Sequence, residues 1–250
     1  MLYITASSLY RETINFFRNQ WITITLMALL TSLITVILNH VLLPYYPEQL
    51  QFILGTKDPT NQGISLLKII KQLSSEQFRL LLHISAIRFL ITLIGHTLML
   101  GGVLNLISLV SAGKPGKLFL ALENSLFQLP KLLVLLFLMT FLSQLGFIIL
   151  IIPGVALTIL LALSPIIMIL EKKSMFSAMQ TSMQIASRYT RLVTPAVILW
   201  LLVKGMMLLI STFFTTLPLM IATAILNMIY NLINAVLTIY LYRFYMLLRN

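Results

Sequence analysis

The 250-residue chain contains no cysteine. That excludes disulfides, thiolate metal sites and a cysteine nucleophile, and leaves the redox compartment unmarked. Charge is scarce as well. Asp, Glu, Lys and Arg together make up 9% of the residues, against about 25% in a soluble domain. So little polar surface cannot wrap a water-soluble core of this size. The shortage is steepest for acids, with 6 carboxylates against 17 basic side chains. None of the carboxylates falls inside a long apolar stretch or at metal-ligand spacing from another. HExxH, a Cys/His cluster, GxSxG and a phosphate-binding loop are all absent. No catalytic residue, metal site or cofactor is therefore expected, and an enzyme is the least favoured class.

What the chain does have is apolar length. Hydrophobic residues are 59% of the total and the mean hydropathy is +1.00. Spans are predicted at 21–43, 84–110, 132–152, 154–170, 192–214 and 219–242, which makes residues 1–250 one all-α polytopic membrane helix bundle with an outer loop at 44–83. The first run, Trp21 to Leu43, would be about 35 Å long as a helix at about 1.5 Å per residue. It outreaches a signal-peptide core, matches the hydrocarbon layer of about 30 Å, and lacks a small-x-small cleavage site. The third and fourth spans form one apolar run divided by Pro153-Gly154, a turn signal. A tight hairpin and a re-entrant loop both fit that signal.

The basic residues alternate with these spans. Arg11, Arg18, Lys114, Lys117, Lys131, Lys172, Lys173, Arg188, Arg191, Arg243 and Arg249 fall on one side. The other side has Lys57, Lys68, Lys71 and Arg79, offset by Glu48, Asp58 and Glu76. The positive-inside bias then places both termini in the cytoplasm. These cations flank apolar spans instead of forming a soluble patch. That points to anionic lipid headgroups of the cytoplasmic leaflet as partner and away from nucleic acid; no protein partner is indicated. Trp21, Tyr45, Tyr46, Tyr242, Phe244 and Tyr245 sit at span boundaries, where aromatic belts form.

Each pair of spans follows a partly polar stretch: Leu9 to Gln20, Lys117 to Lys131, and Lys173 to Arg191. Each stretch carries a hydroxyl residue, respectively Thr13, Ser125 and Ser182, and reads as an amphipathic cytoplasmic interfacial helix. In the outer loop, Ser74 with Gln77 three residues later has the form of a capping box, starting a helix that runs on into the second span. Ile64, Leu67, Ile70 and Leu73 recur at helical spacing just before it.

Several of these segments resemble the YciC-type inner-membrane proteins of bacteria. The likeness rests on Tyr10-Arg11-Glu12-Thr13 with Asn15 to Gln20, Leu109-Val110-Ser111-Ala112-Gly113, Pro130-Lys131-Leu132 and Pro153-Gly154. Arg191-Leu192-Val193 with Pro195-Ala196-Val197, and the tail from Tyr240 to Arg249, continue it. It runs from end to end and is weakest in the outer loop. It implies a multi-pass protein of the bacterial inner membrane and carries over no functional residues.

Polar residues inside spans are the remaining candidates, because the bilayer makes them costly. Lys204 lies near the middle of the fifth span, with no carboxylate in any span to pair with it. Thr223, Asn227, Asn231, Asn234 and Thr238 share one face of the sixth span. Arg88, Thr92 and His96 share one face of the second, where Arg88 is near enough to the outer end to snorkel. Thr31, Thr35 and Asn39 form a polar face on the first. Gly95, Gly101 and Gly102 permit close helix packing. Two readings stay open for Lys204, Asn227, Asn231, Asn234, Arg88 and His96: hydrogen-bonding glue between helices, or a polar site. On the first, the protein is a non-enzymatic envelope or membrane accessory factor. On the second, it is a transporter or channel for a small anionic or neutral solute.

Overall fold

The fold is given by a computed structural model that describes residues 6–43, 74–211 and 218–249. Helix α1 (Ala6–Asn19) leads into α2 (Trp21–Leu42). After residues 44–73 come α3 (Ser75–Ser111), α4 (Leu118–Leu126) and α5 (Leu129–Ile149). The chain continues through α6 (Ile151–Leu161), α7 (Ser164–Glu171), α8 (Met175–Arg188), α9 (Thr190–Ser211) and α10 (Leu219–Arg249). No strand occurs among the described residues. Among the described residues, six segments are long and apolar enough to cross a membrane: α2, α3, α5, α6 with α7, α9 and α10. The fold is an all-α polytopic bundle. The shorter α1, α4 and α8 lie at the three predicted interfacial stretches.

Helix α3 starts as its sequence suggests. Ser74 Oγ accepts the Gln77 N–H at 3.2 Å, Gln77 Oε1 accepts the Ser74 N–H at 2.9 Å, and the helix then runs 37 residues without a break. The surface helix expected at Ile64 to Leu73 lies outside the described residues, as do Tyr45 and Tyr46.

The turn between the third and fourth spans is displaced from Pro153-Gly154. The break falls at Leu150, whose extended backbone (φ −162°, ψ 157°) separates α5 from α6. Pro153 instead occupies the first turn of α6, where a missing N–H costs nothing. Gly154 serves packing. A Cβ built on Gly146 would lie 2.8 Å from Gly154 Cα and 2.9 Å from its nitrogen. The two glycines are four residues either side of Leu150, so the arms fold back on one another as a tight hairpin.

The returning arm breaks again between Leu161 and Ser164, and a side chain from α8 repairs the gap. Ser182 Oγ donates to the Leu160 carbonyl at 2.6 Å and accepts the Leu163 N–H at 3.2 Å. The hydroxyls at matching places in α1 and α4 are buried too, but they turn back on their own helices. Thr13 bonds the Leu9 carbonyl at 2.8 Å and Ser125 the Leu122 carbonyl at 2.6 Å.

The main core lies toward the basic end. There Leu9 and Phe16 of α1, Ala121 of α4 and Ala178 of α8 surround α3 from Met99 to Leu109 and α10 from Ile239 to Tyr245. Tyr242, Phe244 and Tyr245, expected in the lipid interface, are instead 2%, 0% and 4% exposed. The covering helices take the place of lipid. Tyr189 packs edge-on against Phe244 with ring centroids 5.8 Å apart, Tyr242 bonds Ser108 at 3.1 Å, and Tyr245 donates to Glu171, which also pairs with Lys173 at 2.7 Å. Trp21, at 55% exposure, remains free to meet lipid. A second, small cluster of Leu43, Ile84 and Ile91 holds the opposite end.

Candidate intramembrane site

Helix spacing builds this site. On α9, Trp200 and Lys204 are four residues apart, so ring and ammonium share a face. Lys204 Nζ sits 3.5 Å from the Trp200 ring centroid and 4.2 Å from that of Tyr230 on α10. A charged lysine at a span centre costs about 2.5–3.5 kcal/mol on insertion scales. A desolvated cation over an aromatic face recovers about 2 kcal/mol. Two such faces are of the same order as that cost, so the rings favour a protonated Lys204 where no carboxylate is present.

Lys204, Trp200 and Tyr230 line a cavity of about 370 Å³ between α3, α5, α6, α9 and α10. Its polar lining comes from Thr92 and His96 of α3, Thr140, Ser143 and Gln144 of α5, and Thr158 of α6. No carboxylate is among its lining residues. A narrower chamber of about 100 Å³ adjoins it, sharing His96, Leu136, Met139, Thr158 and Trp200, and reaching Asn234 and Thr238 of α10. Trp200 Nε1 donates to Asn234 Oδ1 at 2.9 Å. An indole nitrogen can only donate, so this bond fixes which way the amide points. Asn234 Nδ2 is then left buried without a hydrogen-bond partner.

The six sequence candidates separate in space. Lys204 and His96 line the wide chamber, and Asn234 lines the narrow one while holding Trp200 in place. Asn231 serves a different neighbour: its Nδ2 donates to Thr31 Oγ1 at 2.9 Å, tying α10 to α2. Such bonds between membrane helices average about 0.6 kcal/mol, so Asn231 is glue. Asn227 is half-buried and is not among the lining residues of either chamber. Arg88 is exposed, one turn before Thr92 and nearer the start of α3, a position from which it can snorkel. The α2 stripe also binds helices together: Thr35 Oγ1 stands within 2.5 Å of where a Gly95 Cβ would be, and Met27 packs against Gly102 in the same way. The glycines of α3 thus do what their size suggests.

Thr140, Ser143, Gln144, Thr158, Trp200 and Tyr230 went unnoticed as site residues in the sequence. The first three recur at i, i+3 and i+4, a polar face in a span that is otherwise apolar, and that signal was legible. Trp200 and Tyr230 read as ordinary apolar positions; only the approach of α10 to α9 makes them a cage. A second cleft, of about 490 Å³, lies at the basic end. It is lined by Glu12, Asn15, Asn19, Gln20 and Arg243 among others, and so holds charges of both signs.

The same chain-long pattern occurs in known proteins. A model described as "Uncharacterised protein family (UPF0259)" matches residues 2–247. A UPF0259 membrane protein of Yersinia pestis (strain Pestoides F) is 45% identical over 248 residues, covering 98% of this chain and 96% of its own length. One of Yersinia pseudotuberculosis serotype O:1b (strain IP 31758) is similar to the same degree, 45% over 248 residues. No solved structure matches the chain. With the family model covering nearly every residue, and relatives called membrane proteins matching its six apolar segments, the chain belongs to the UPF0259 family of multi-pass membrane proteins.

Proposed function

We propose that this protein is a non-enzymatic accessory factor of the bacterial inner membrane, with both termini in the cytoplasm and its basic end against anionic headgroups. The observation that carries this reading is the packing of α1 along α10, of α4 against α3 and of α8 against α6 and α7, at the end of the bundle where the basic residues gather. Arg11, Arg18, Lys114, Lys117, Lys131, Lys172, Arg188, Arg191 and Arg249 are all exposed on or beside these helices. Each cation close to an anionic bilayer surface contributes about 1 kcal/mol. Proteins spanning the bacterial outer membrane are closed β-barrels, and the helical bundle of this chain suits the inner membrane. The Lys204 cavity favours binding over bond-breaking, because its cation rests between aromatic faces with no carboxylate beside it. That cavity also favours a second reading, passage of a small anionic or neutral solute.

Two measurements test the proposal. A reporter active only in the periplasm, fused after Asn250, is expected to be silent; an active fusion puts the C-terminus in the periplasm and sinks the orientation. Proteoliposomes containing the purified chain are expected to show no more anion leak than empty vesicles. A saturable, protein-dependent flux would replace the accessory reading with the transport one.

A further inference from the structure

The geometry points to a function for the Lys204 cavity that does not depend on whether solute crosses the membrane: we propose that it binds a small oxyanion, a carboxylate or a phosphate group, inside the spanning bundle. The argument begins with charge. Lys204 is the basic group of a chamber whose lining holds no acid, its Nζ makes no hydrogen bond or ion pair with any described residue, and a bound anion is what would hold it protonated there. A cationic ligand would meet like charge there, whereas an oxyanion supplies the missing counter-charge.

Hydrogen-bond accounting agrees. The hydroxyls of Thr92 and Thr158 donate to carbonyls of their own helices, Arg88 and Gly154, at 2.8 Å each. Thr140, Ser143 and Gln144, on the wall formed by α5, have no such bond within the described structure and keep their donors for the cavity. The adjoining chamber adds an independent observation: Asn234 is 4% exposed and its Nδ2 has no partner. A buried donor left unpaired is costly, and a ligand oxygen is what would satisfy it. Ammonium, hydroxyls and a carboxamide N–H are together the donors that recognise carboxylate and phosphate oxygens.

The same oxyanion chemistry is offered by a dissolved ion and by a phospholipid headgroup, so the experiment has two arms. The chain contains two tryptophans, and the Trp21→Phe variant leaves Trp200, a wall of the cavity, as its sole tryptophan, excited selectively over tyrosine at the red edge of its absorption. In phosphatidylcholine nanodiscs, the full chain is titrated with sodium acetate and with sodium phosphate against sodium chloride of equal ionic strength. In the other arm, phosphatidylglycerol replaces increasing fractions of the phosphatidylcholine. A saturable change in Trp200 emission is expected in at least one arm. The soluble arm responding identifies a free solute; phosphatidylglycerol alone responding identifies a headgroup. Lys204→Met is expected to weaken the apparent affinity at least about tenfold, the scale of a charge-assisted bond. Should Lys204→Met fail to reconstitute, Thr140→Val with Ser143→Ala decides, with an expected loss of about three- to tenfold. No saturable response in either arm, or an unchanged affinity in the deciding variant, overturns the site.

Discussion

Gly146→Val is expected to destabilise the bundle by about 3 kcal/mol, the upper part of the usual range for overpacking. The position matters because of what a side chain there would strike. The new Cβ would face the Cα and nitrogen of Gly154 at 2.8 and 2.9 Å, with Leu157 at 3.0 Å. Backbone atoms have no rotamer to retreat into, so the hairpin arms must separate. The neighbouring position gives a control. A Cβ on Gly154 meets the ring of Phe147, which is a side chain and removable. Gly154→Ala should therefore be rescued by Phe147→Ala, and Gly146→Val should not. Reversible unfolding in mixed detergent micelles measures both. A Gly146→Val chain as stable as wild type would show that the arms are not in contact.

Ser182→Ala should cost about 2–4 kcal/mol, because removing one hydroxyl strands a buried backbone N–H at about 1–3 kcal/mol and, at a smaller cost, a partly buried carbonyl. Those groups are the Leu160 carbonyl and the Leu163 N–H at the break between α6 and α7. Inside a bilayer no water replaces the lost partner. Thr13→Ala and Ser125→Ala remove hydroxyls that bond carbonyls of their own helices. Those two are expected to cost under about 1 kcal/mol. The same unfolding assay ranks all three. Equal losses at the three positions would mean that Ser182 does not hold the break together.

The contrast between these hydroxyls shows how far the sequence could be read. Its pattern of stretches and hydroxyls placed Thr13, Ser125 and Ser182 at matching points, and all three are buried. Nothing in that pattern distinguishes the one that crosses to another helix. Likewise, the capping box at Ser74 and Gln77 was legible because both partners lie within one turn. The break at Leu150 was not. Proline and glycine mark places where a chain can turn, but packing of Gly146 on Gly154 settled where it does. Tyr242, Phe244 and Tyr245 failed as interface anchors for a related reason. Their amphipathic character was read correctly, yet only the docking of α1, α7 and α8 put protein where lipid was expected.

The candidate site divides the same way. Scarce charge, six long apolar runs and basic residues gathered between them determine a polytopic helical membrane protein, because the cost of placing polar groups in hydrocarbon depends on composition and length alone. Lys204 stands out for that reason before any helix is placed. What surrounds it depends on which faces of distant helices meet. Only the tertiary structure set Trp200 and Tyr230 against its ammonium, brought Thr140, Ser143 and Gln144 to the opposite wall, and sent Asn231 to Thr31 while leaving Asn234 with a free N–H. In lipid, polar faces must find one another, but the spacing along a helix names only the face and never its partner.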